Sequence, residues 1–152
     1  MPANDYKFVT TWEVRASVEQ VSEILEDPFG LVRWWPEVYL SVCEPEPGVL
    51  ELHTKGWLPY RLRWFSRRTE SRHPYGFSLA AWGDLEGEGV WTFTPAGDRT
   101  HIRYEWTVRA RKPLLRILSP VLRPIFAANH RWAMKRGEEG LKAELARRAT
   151  GA

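Results

Sequence analysis

The sequence predicts an α+β protein in which an antiparallel sheet carries helices on one face. Three observations lead to this prediction. The chain opens with an alternating segment followed by helix-capping signals. About six further alternating segments follow at hairpin spacing, and a long helical pattern ends the chain. Because 152 residues suit one domain of ordinary size, we expect a single domain over residues 1–152.

The first segment, Tyr6–Arg15, alternates so that Phe8, Thr10, Trp12 and Val14 share one face, which predicts a half-buried strand. Ser17 and Gln20 then form a capping box, which predicts that a helix begins there. Asp27-Pro28 starts a second short helix, because proline suits the first helical turn.

The middle of the chain predicts a series of strands. We read the motif Gly83–Gly89 between two of them as a turn with solvated acidic residues, since no helix follows it to make a phosphate loop. The predicted strands are Val38–Cys43, Val49–Gly56, Tyr60–Thr69, Phe77–Gly83, Gly89–Pro95 and Thr100–Arg109.

The last part of the chain predicts helices. Pro113–Leu118 indicates a short helix, broken around Pro120 and Pro124. From Ile125 to about Arg148 the pattern favours one long helix with an apolar stripe on one side.

The composition indicates a soluble globular protein, with 43% hydrophobic and 27% charged residues. No apolar run approaches the ~18–20 residues of a membrane span, and no signal peptide is evident, so we expect a cytoplasmic protein. The single cysteine, Cys43, excludes an internal disulfide. The nine Trp, five Tyr and six Phe are an excess that points to a bulky aromatic interior or a pocket wall.

Five stretches together resemble a known superfamily. They are Phe8–Trp12, Arg33–Pro36, Gly83–Pro95, Gly97–Thr100 and Asn129–Gly137. With this element order, the chain resembles the START-like superfamily, also called SRPBCC, Bet v 1-like or helix-grip, and above all its bacterial polyketide cyclase/dehydrase and lipid-transport members. The resemblance implies a curved sheet of about seven strands wrapped on a long C-terminal helix. It also implies an apolar cavity for lipids, sterols, quinones or aromatic polyketides, with no shared catalytic set and no cofactor.

The candidate ligand-binding residues are those whose alternation or helical spacing turns them inward. A solid core is the alternative, because protein interiors pack densely. The strand candidates are Trp12, Trp64, Trp91, Phe93, Tyr104 and Trp106, and the helix candidates are Phe126, His130 and Met134.

His130 lies in the apolar stripe of the last helix, where an imidazole can donate or accept a hydrogen bond or move a proton. A histidine satisfied by Tyr104 or by a backbone carbonyl is the simpler interpretation. Tyr104 itself could orient a ligand carbonyl or bond within the core. No residue is assigned a catalytic role.

Other chemistries find little support. His53, His73 and His101 lack the spacing of metal ligands, and Cys43 is interpreted as an inert, half-buried thiol. The series Arg61, Arg63, Arg67, Arg68 and Arg72 is interpreted as an outward strand face, and nucleic-acid binding is not expected. The basic, apolar segment Lys112–Leu118 could touch a membrane, but a short helix on the sheet rim is favoured.

Three functional hypotheses follow. The favoured one is a protein that binds or carries a small hydrophobic molecule. The second is a cyclase, dehydratase or aromatase in which His130 acts as acid or base and Tyr104 donates to a developing enolate. The third is a protein- or membrane-interaction module that uses the second half of the chain, where basic residues outnumber acidic ones.

Overall fold

A computed structural model describes residues 5–56, 61–110 and 113–150. Strand β1 (Asp5–Val14) leads to α1 (Val18–Leu25), a 3₁₀ turn (Pro28–Gly30) and α2 (Leu31–Trp34). The remaining elements are β2 (Tyr39–Glu46), β3 (Val49–Lys55), β4 (Arg61–Ser71), β5 (Gly76–Gly83), β6 (Leu85–Ala96), β7 (Arg99–Ala110) and α3 (Pro113–Ala149). Tyr60, predicted to open the third of the middle strands, lies outside the described residues.

The seven strands form one curved antiparallel sheet in the order β1-β7-β6-β5-β4-β3-β2. The predicted α+β class and the helix-grip arrangement are therefore confirmed. The alternation of β1 and β7 sets the inward face, since Phe8 pairs with Trp106 and Trp12 pairs with Ile102 across the two strands. The predicted capping box at Ser17 and Gln20 is also present.

The prediction of a helix broken around Pro120 and Pro124 was wrong, because α3 runs without interruption from Pro113 to Ala149. Each internal proline removes one backbone hydrogen bond and costs about 3 kcal/mol, but the bonds of neighbouring residues can carry a helix past it. Residues 113–118 thus form the first turns of α3, whereas Lys112 lies outside the described residues. Within the described part of the chain, no helix has the length and apolar character needed to cross a membrane.

The prediction of a turn over Gly83–Gly89 was too long. Only Asp84 separates β5 from β6, so Glu86 and Glu88 are strand residues that pair with Arg109 and Thr107 of β7. The glycine-rich composition obscured this strand. Gly87 is needed because β7 comes so close that a Cβ there would meet the Thr107 backbone.

Two smaller corrections concern exposure. Cys43 is exposed rather than half-buried, because it lies on β2 at the edge of the sheet. Arg68 belongs to the inward face of β4 with Trp64 and Ser66, because strand residues two apart share a face. Its guanidinium carbon lies 4.4 Å from the ring centre of the buried Phe77.

The helix α3 lies very close to α2, and two glycines allow the contact. A Cβ on Gly137 would lie 2.5 Å from the ring of Trp35, and a Cβ on Gly140 would overlap the backbone carbonyl of Trp34. The indole Nε1 of Trp35 donates to the Ala133 carbonyl of α3 at 3.0 Å. Both tryptophans are therefore fixed against the C-terminal helix.

Candidate functional site

Two cavities lie on the inner side of the sheet. The helix cavity, of about 150 Å³, lies between the sheet and α3. The turn cavity, of about 290 Å³, lies beneath the 3₁₀ turn and is lined by Pro28, Phe29 and the inward side chains of β3, β4 and β5. The two cavities share four wall residues, namely Trp35, Tyr39, Trp64 and Tyr104.

The helix cavity is built from two regular patterns. Inward alternation on β7 supplies Tyr104, Trp106 and Val108. On α3, a spacing of four residues places Phe126, His130 and Met134 on one face. Most of the lining is apolar or aromatic, with a few polar groups among it, as is usual for small-molecule sites.

Three buried side-chain nitrogens among the described residues lack a hydrogen-bond partner, namely Trp12 Nε1, Trp34 Nε1 and His130 Nε2. Of these three residues, His130 is the one that lines a cavity on the inner side of the sheet. Its Nε2 atom is buried and has no hydrogen-bond partner among the described residues. The imidazole stacks on Phe8 with 4.0 Å between ring centres. Burial lowers the pKa of His130 to about 4, with a smaller contribution from the charge of Arg131. The ring is therefore neutral at neutral pH, and it can donate or accept one hydrogen bond according to its tautomer.

The tyrosines of the shared wall are protonated hydrogen-bonding groups. Burial raises the pKa of both Tyr39 and Tyr104 above the ordinary value. The Tyr104 ring stacks on Trp91 at 4.0 Å and lies 5.7 Å from the ring of Trp106. Gly89 makes room for it, since a Cβ there would lie 2.8 Å from the Tyr104 hydroxyl. A ring held in this way presents its hydroxyl in a fixed position.

The rim of the turn cavity carries a charged cluster. The Glu26 carboxylate accepts a hydrogen bond from Ser22 and contacts His73 Nδ1 at 2.7 Å, while Arg68 donates to the Glu26 carbonyl at 3.0 Å. Burial acts to raise the pKa of Glu26. The hydrogen bonds of Ser22 and His73 and the charge of Arg68 outweigh burial, and the pKa falls below its ordinary value. The cluster joins α1 to the β4–β5 region beside the cavity.

A second ionic cluster holds α2 in place behind the cavities. Glu144 of α3 is only 3% exposed. Its carboxylate accepts hydrogen bonds from Arg33 at 2.6 Å, from Arg148 at 3.1 Å and from Arg147. The Arg33 hydrogen bond is the largest cause that lowers the pKa of Glu144 to about 2, while burial opposes it. Because Arg33 lies on α2, this cluster supports the neighbouring Trp35 in the wall of both cavities.

The structure places the predicted site residues in three groups. Six of them line the helix cavity: Trp64, Tyr104, Trp106, Phe126, His130 and Met134. Trp91 lines the turn cavity. Trp12 and Phe93 are buried in the core and line neither cavity. The binding role of all nine residues stays a prediction.

Several wall residues were missed by the sequence analysis. Tyr39 and Trp35 line both cavities, Asn129 lines the helix cavity and Arg68 lines the turn cavity. The sequence did contain a signal for Trp35, because the Trp34-Trp35 pair is part of the Arg33–Pro36 stretch that resembles the superfamily. Asn129 covers Gly56, where a Cβ would collide with its side-chain amide.

A family of sequences covers nearly the whole chain. Residues 5–146 match the family described as polyketide cyclase / dehydrase and lipid transport. The chain belongs to this family. Among curated proteins, none matches the chain.

Solved structures share the fold of this family member. The Zhui aromatase/cyclase from Streptomyces sp. R1128 is 20% identical, with a TM-score of 0.71 over 95% of this chain and 96% of that one. TTHA0849 from Thermus thermophilus is also 20% identical, with a TM-score of 0.71 over 91% of this chain and 99% of that one. A START superfamily protein from Mycobacterium smegmatis is 15% identical, with a TM-score of 0.70 over 93% and 97% of the two chains. At these identities the likeness is one of fold.

Proposed function

We propose that this protein binds or carries a small hydrophobic molecule, such as a lipid, a quinone or an aromatic polyketide-like compound, between the sheet and α3. The observation that carries the proposal is the buried, unpartnered Nε2 of His130 in a mainly apolar, aromatic cavity. An unpaired buried nitrogen costs about 1–3 kcal/mol, which a ligand with one matching polar atom recovers.

The size and polarity of the helix cavity limit the classes of ligand that fit it. An apolar cavity of roughly 150 Å³ is known to accept benzene, so the volume of about 150 Å³ suits one ring. Since His130 and both tyrosines are uncharged at neutral pH, the ligand atom that meets them is a neutral hydroxyl or carbonyl. Lys55 also lines the cavity, but it is exposed to solvent. The remaining affinity comes from apolar burial, at roughly 25 cal/mol per Å² before the cost of association.

Catalysis on a polyketide-like substrate is the second candidate, and the named aromatase/cyclase of the same fold favours it. In this role Tyr104 would donate a hydrogen bond to a developing enolate and His130 would take or give a proton. A base works best with a pKa near the operating pH, whereas the pKa of His130 is lowered to about 4. The site therefore favours binding over proton abstraction.

The test compares two ligands of nearly equal shape, 4-methylphenol and 1,4-dimethylbenzene, by titration calorimetry. We expect both to bind, and the phenol to bind about fivefold or more tightly, because one hydrogen bond contributes about 1 kcal/mol. In His130→Leu the preference for the phenol should vanish. The matched control is His101→Gln, an exposed histidine on β7 that should keep the preference.

A carrier role would be contradicted if the wild-type protein bound neither compound and also released no lipid or quinone when the freshly purified protein was denatured. For the catalytic candidate, the readout is turnover of a poly-β-carbonyl substrate. Turnover that persists unchanged in His130→Leu would remove His130 from the chemistry.

A further inference from the structure

The two cavities share four wall residues, and the side chains of these residues differ in how firmly they are held. Of the four shared wall residues, Trp35 is fixed by its hydrogen bond to the Ala133 carbonyl at 3.0 Å. Trp64 is fixed by its hydrogen bond to Thr54 Oγ1 at 3.1 Å. Tyr104 is held between Trp91 and Trp106.

Tyr39 is the exception among these four. Its side chain makes no hydrogen bond to the described residues, and its ring contact there is an edge-on approach to Trp35 at 5.1 Å. It also lies at the start of the edge strand β2, where the pairing with β3 shifts register between Tyr39 and Ser41. The wall is thus weakest, and most easily altered without loss of the fold, at this one ring.

We propose that Tyr39 is a specificity-determining residue that sets the maximum length of the ligand. This inference rests on the proposed function. With the Tyr39 ring in place, a ligand ends at the wall of the helix cavity, whose volume is about 150 Å³. Removal of the ring joins the helix cavity to the turn cavity of about 290 Å³ and lets a longer apolar chain pass between Trp35 and Tyr104.

The lining of the turn cavity suits an elongated, mainly apolar ligand once the Tyr39 ring is removed. Leu50, Leu52 and Leu79 line the turn cavity with Phe77 and Trp91. Three charged residues line it: Glu26 and Arg68, which are engaged with each other at the rim, and Glu44, whose carboxylate accepts a hydrogen bond from the Gly48 N–H at 2.9 Å. A chain that enters from the helix cavity therefore meets apolar side chains first.

The experiment uses a series of 4-alkylphenols whose chain grows from methyl to octyl, with binding followed by calorimetry. Each methylene that becomes buried should tighten binding about fourfold. In the wild-type protein we expect this gain to stop at a short chain. In Tyr39→Ala and Tyr39→Val the gain should continue to clearly longer chains, by at least tenfold in total.

The control is Tyr39→Phe, which keeps the ring and removes only the hydroxyl, and which should keep the wild-type limit. Tyr39→Val guards against misfolding, because a β-branched residue suits a strand. Suppose that the wild-type protein binds the short phenols, and that both ring-deletion variants are folded by circular dichroism. If their gain in affinity then ends at the wild-type chain length, the role of Tyr39 is refuted while the proposed function stands. If the wild-type protein binds none of the series, the proposed function fails and this inference fails with it.

Discussion

Replacing His130 with leucine should make the protein more resistant to acid while it impairs ligand binding. The imidazole Nε2 is buried and without a partner among the described residues. The leucine variant removes a polar atom that has no hydrogen bond and keeps apolar bulk against Phe8. Such a change is near neutral or stabilising for folding, even though it deletes the group that we assign to ligand recognition.

The size of the acid effect follows from the pKa of His130, which falls from 6.5 to about 4 on burial. Between pH 6.5 and pH 4, the imidazole of His130 stays neutral in the folded state but becomes protonated in the unfolded state. The neutral imidazole therefore supports folding above pH 6.5, and this support is lost as the pH falls towards 4. The full loss is about 3 kcal/mol, of which about 2 kcal/mol falls between roughly pH 7 and pH 5.

The assay is urea unfolding followed by tryptophan fluorescence at about pH 7, pH 6 and pH 5, in wild type and His130→Leu. All other titrating groups are common to both proteins, so they cancel in the difference. We expect the free energy of unfolding of the variant to exceed that of wild type by about 2 kcal/mol more at about pH 5 than at about pH 7. His101→Gln, an exposed histidine, should follow wild type. Parallel pH dependence in wild type and His130→Leu would refute the assignment of a buried, neutral imidazole.

Two further predictions concern the packing of α3. Glu144→Gln should lower the free energy of unfolding at neutral pH by about 2–3 kcal/mol, because a buried carboxylate with three arginine partners and a pKa lowered to about 2 is lost. The difference from wild type should shrink as the pH falls from 4.5 towards 2, where wild-type Glu144 also becomes protonated. The control is Glu139→Gln, which breaks the exposed ion pair with Arg136 and should lower the free energy of unfolding by less than about 0.5 kcal/mol. An equal loss of stability in the two variants would contradict the argument. Gly140→Ala should destabilise by about 2 kcal/mol or more in thermal unfolding, although alanine normally stabilises a helix by about 1 kcal/mol, because its Cβ would overlap the Trp34 carbonyl. A raised melting temperature for Gly140→Ala would show that α2 and α3 are not in close contact.

The regular elements could be predicted because their periodicity is strong. In β1 and β7, the inward residues are apolar or aromatic except Thr10 and Thr100, and the pairing of Phe8 with Trp106 agrees with the face that this alternation predicts. The long helix failed as a prediction only at its prolines, where a local rule about hydrogen bonds competes with the continuity of the rest of the helix.

The cavity walls could be predicted only in part. Alternation identifies the face to which a side chain belongs, but not whether empty space lies beside it, which is why Trp12 and Tyr104 appeared equivalent. The distance between layers depends on contacts such as that of Gly137 with Trp35, which join residues far apart in the sequence. Tyr39 was missed because β2 shifts register there. Trp35 was missed because it follows α2 with non-helical backbone angles, φ −132° and ψ 51°, where no periodicity applies.

The arginine cluster around Glu144 connects the last turn of α3 to the wall that the two cavities share. The last turn of α3 supplies Arg147 and Arg148, and the carboxylate that they share also binds Arg33, one helical turn or less from Trp35. A sequence change in this turn therefore removes support from α2, whose neighbouring Trp35 ring lines both cavities. Arg147 and Arg148 line neither cavity, yet they are connected to this wall through one shared carboxylate and one arginine.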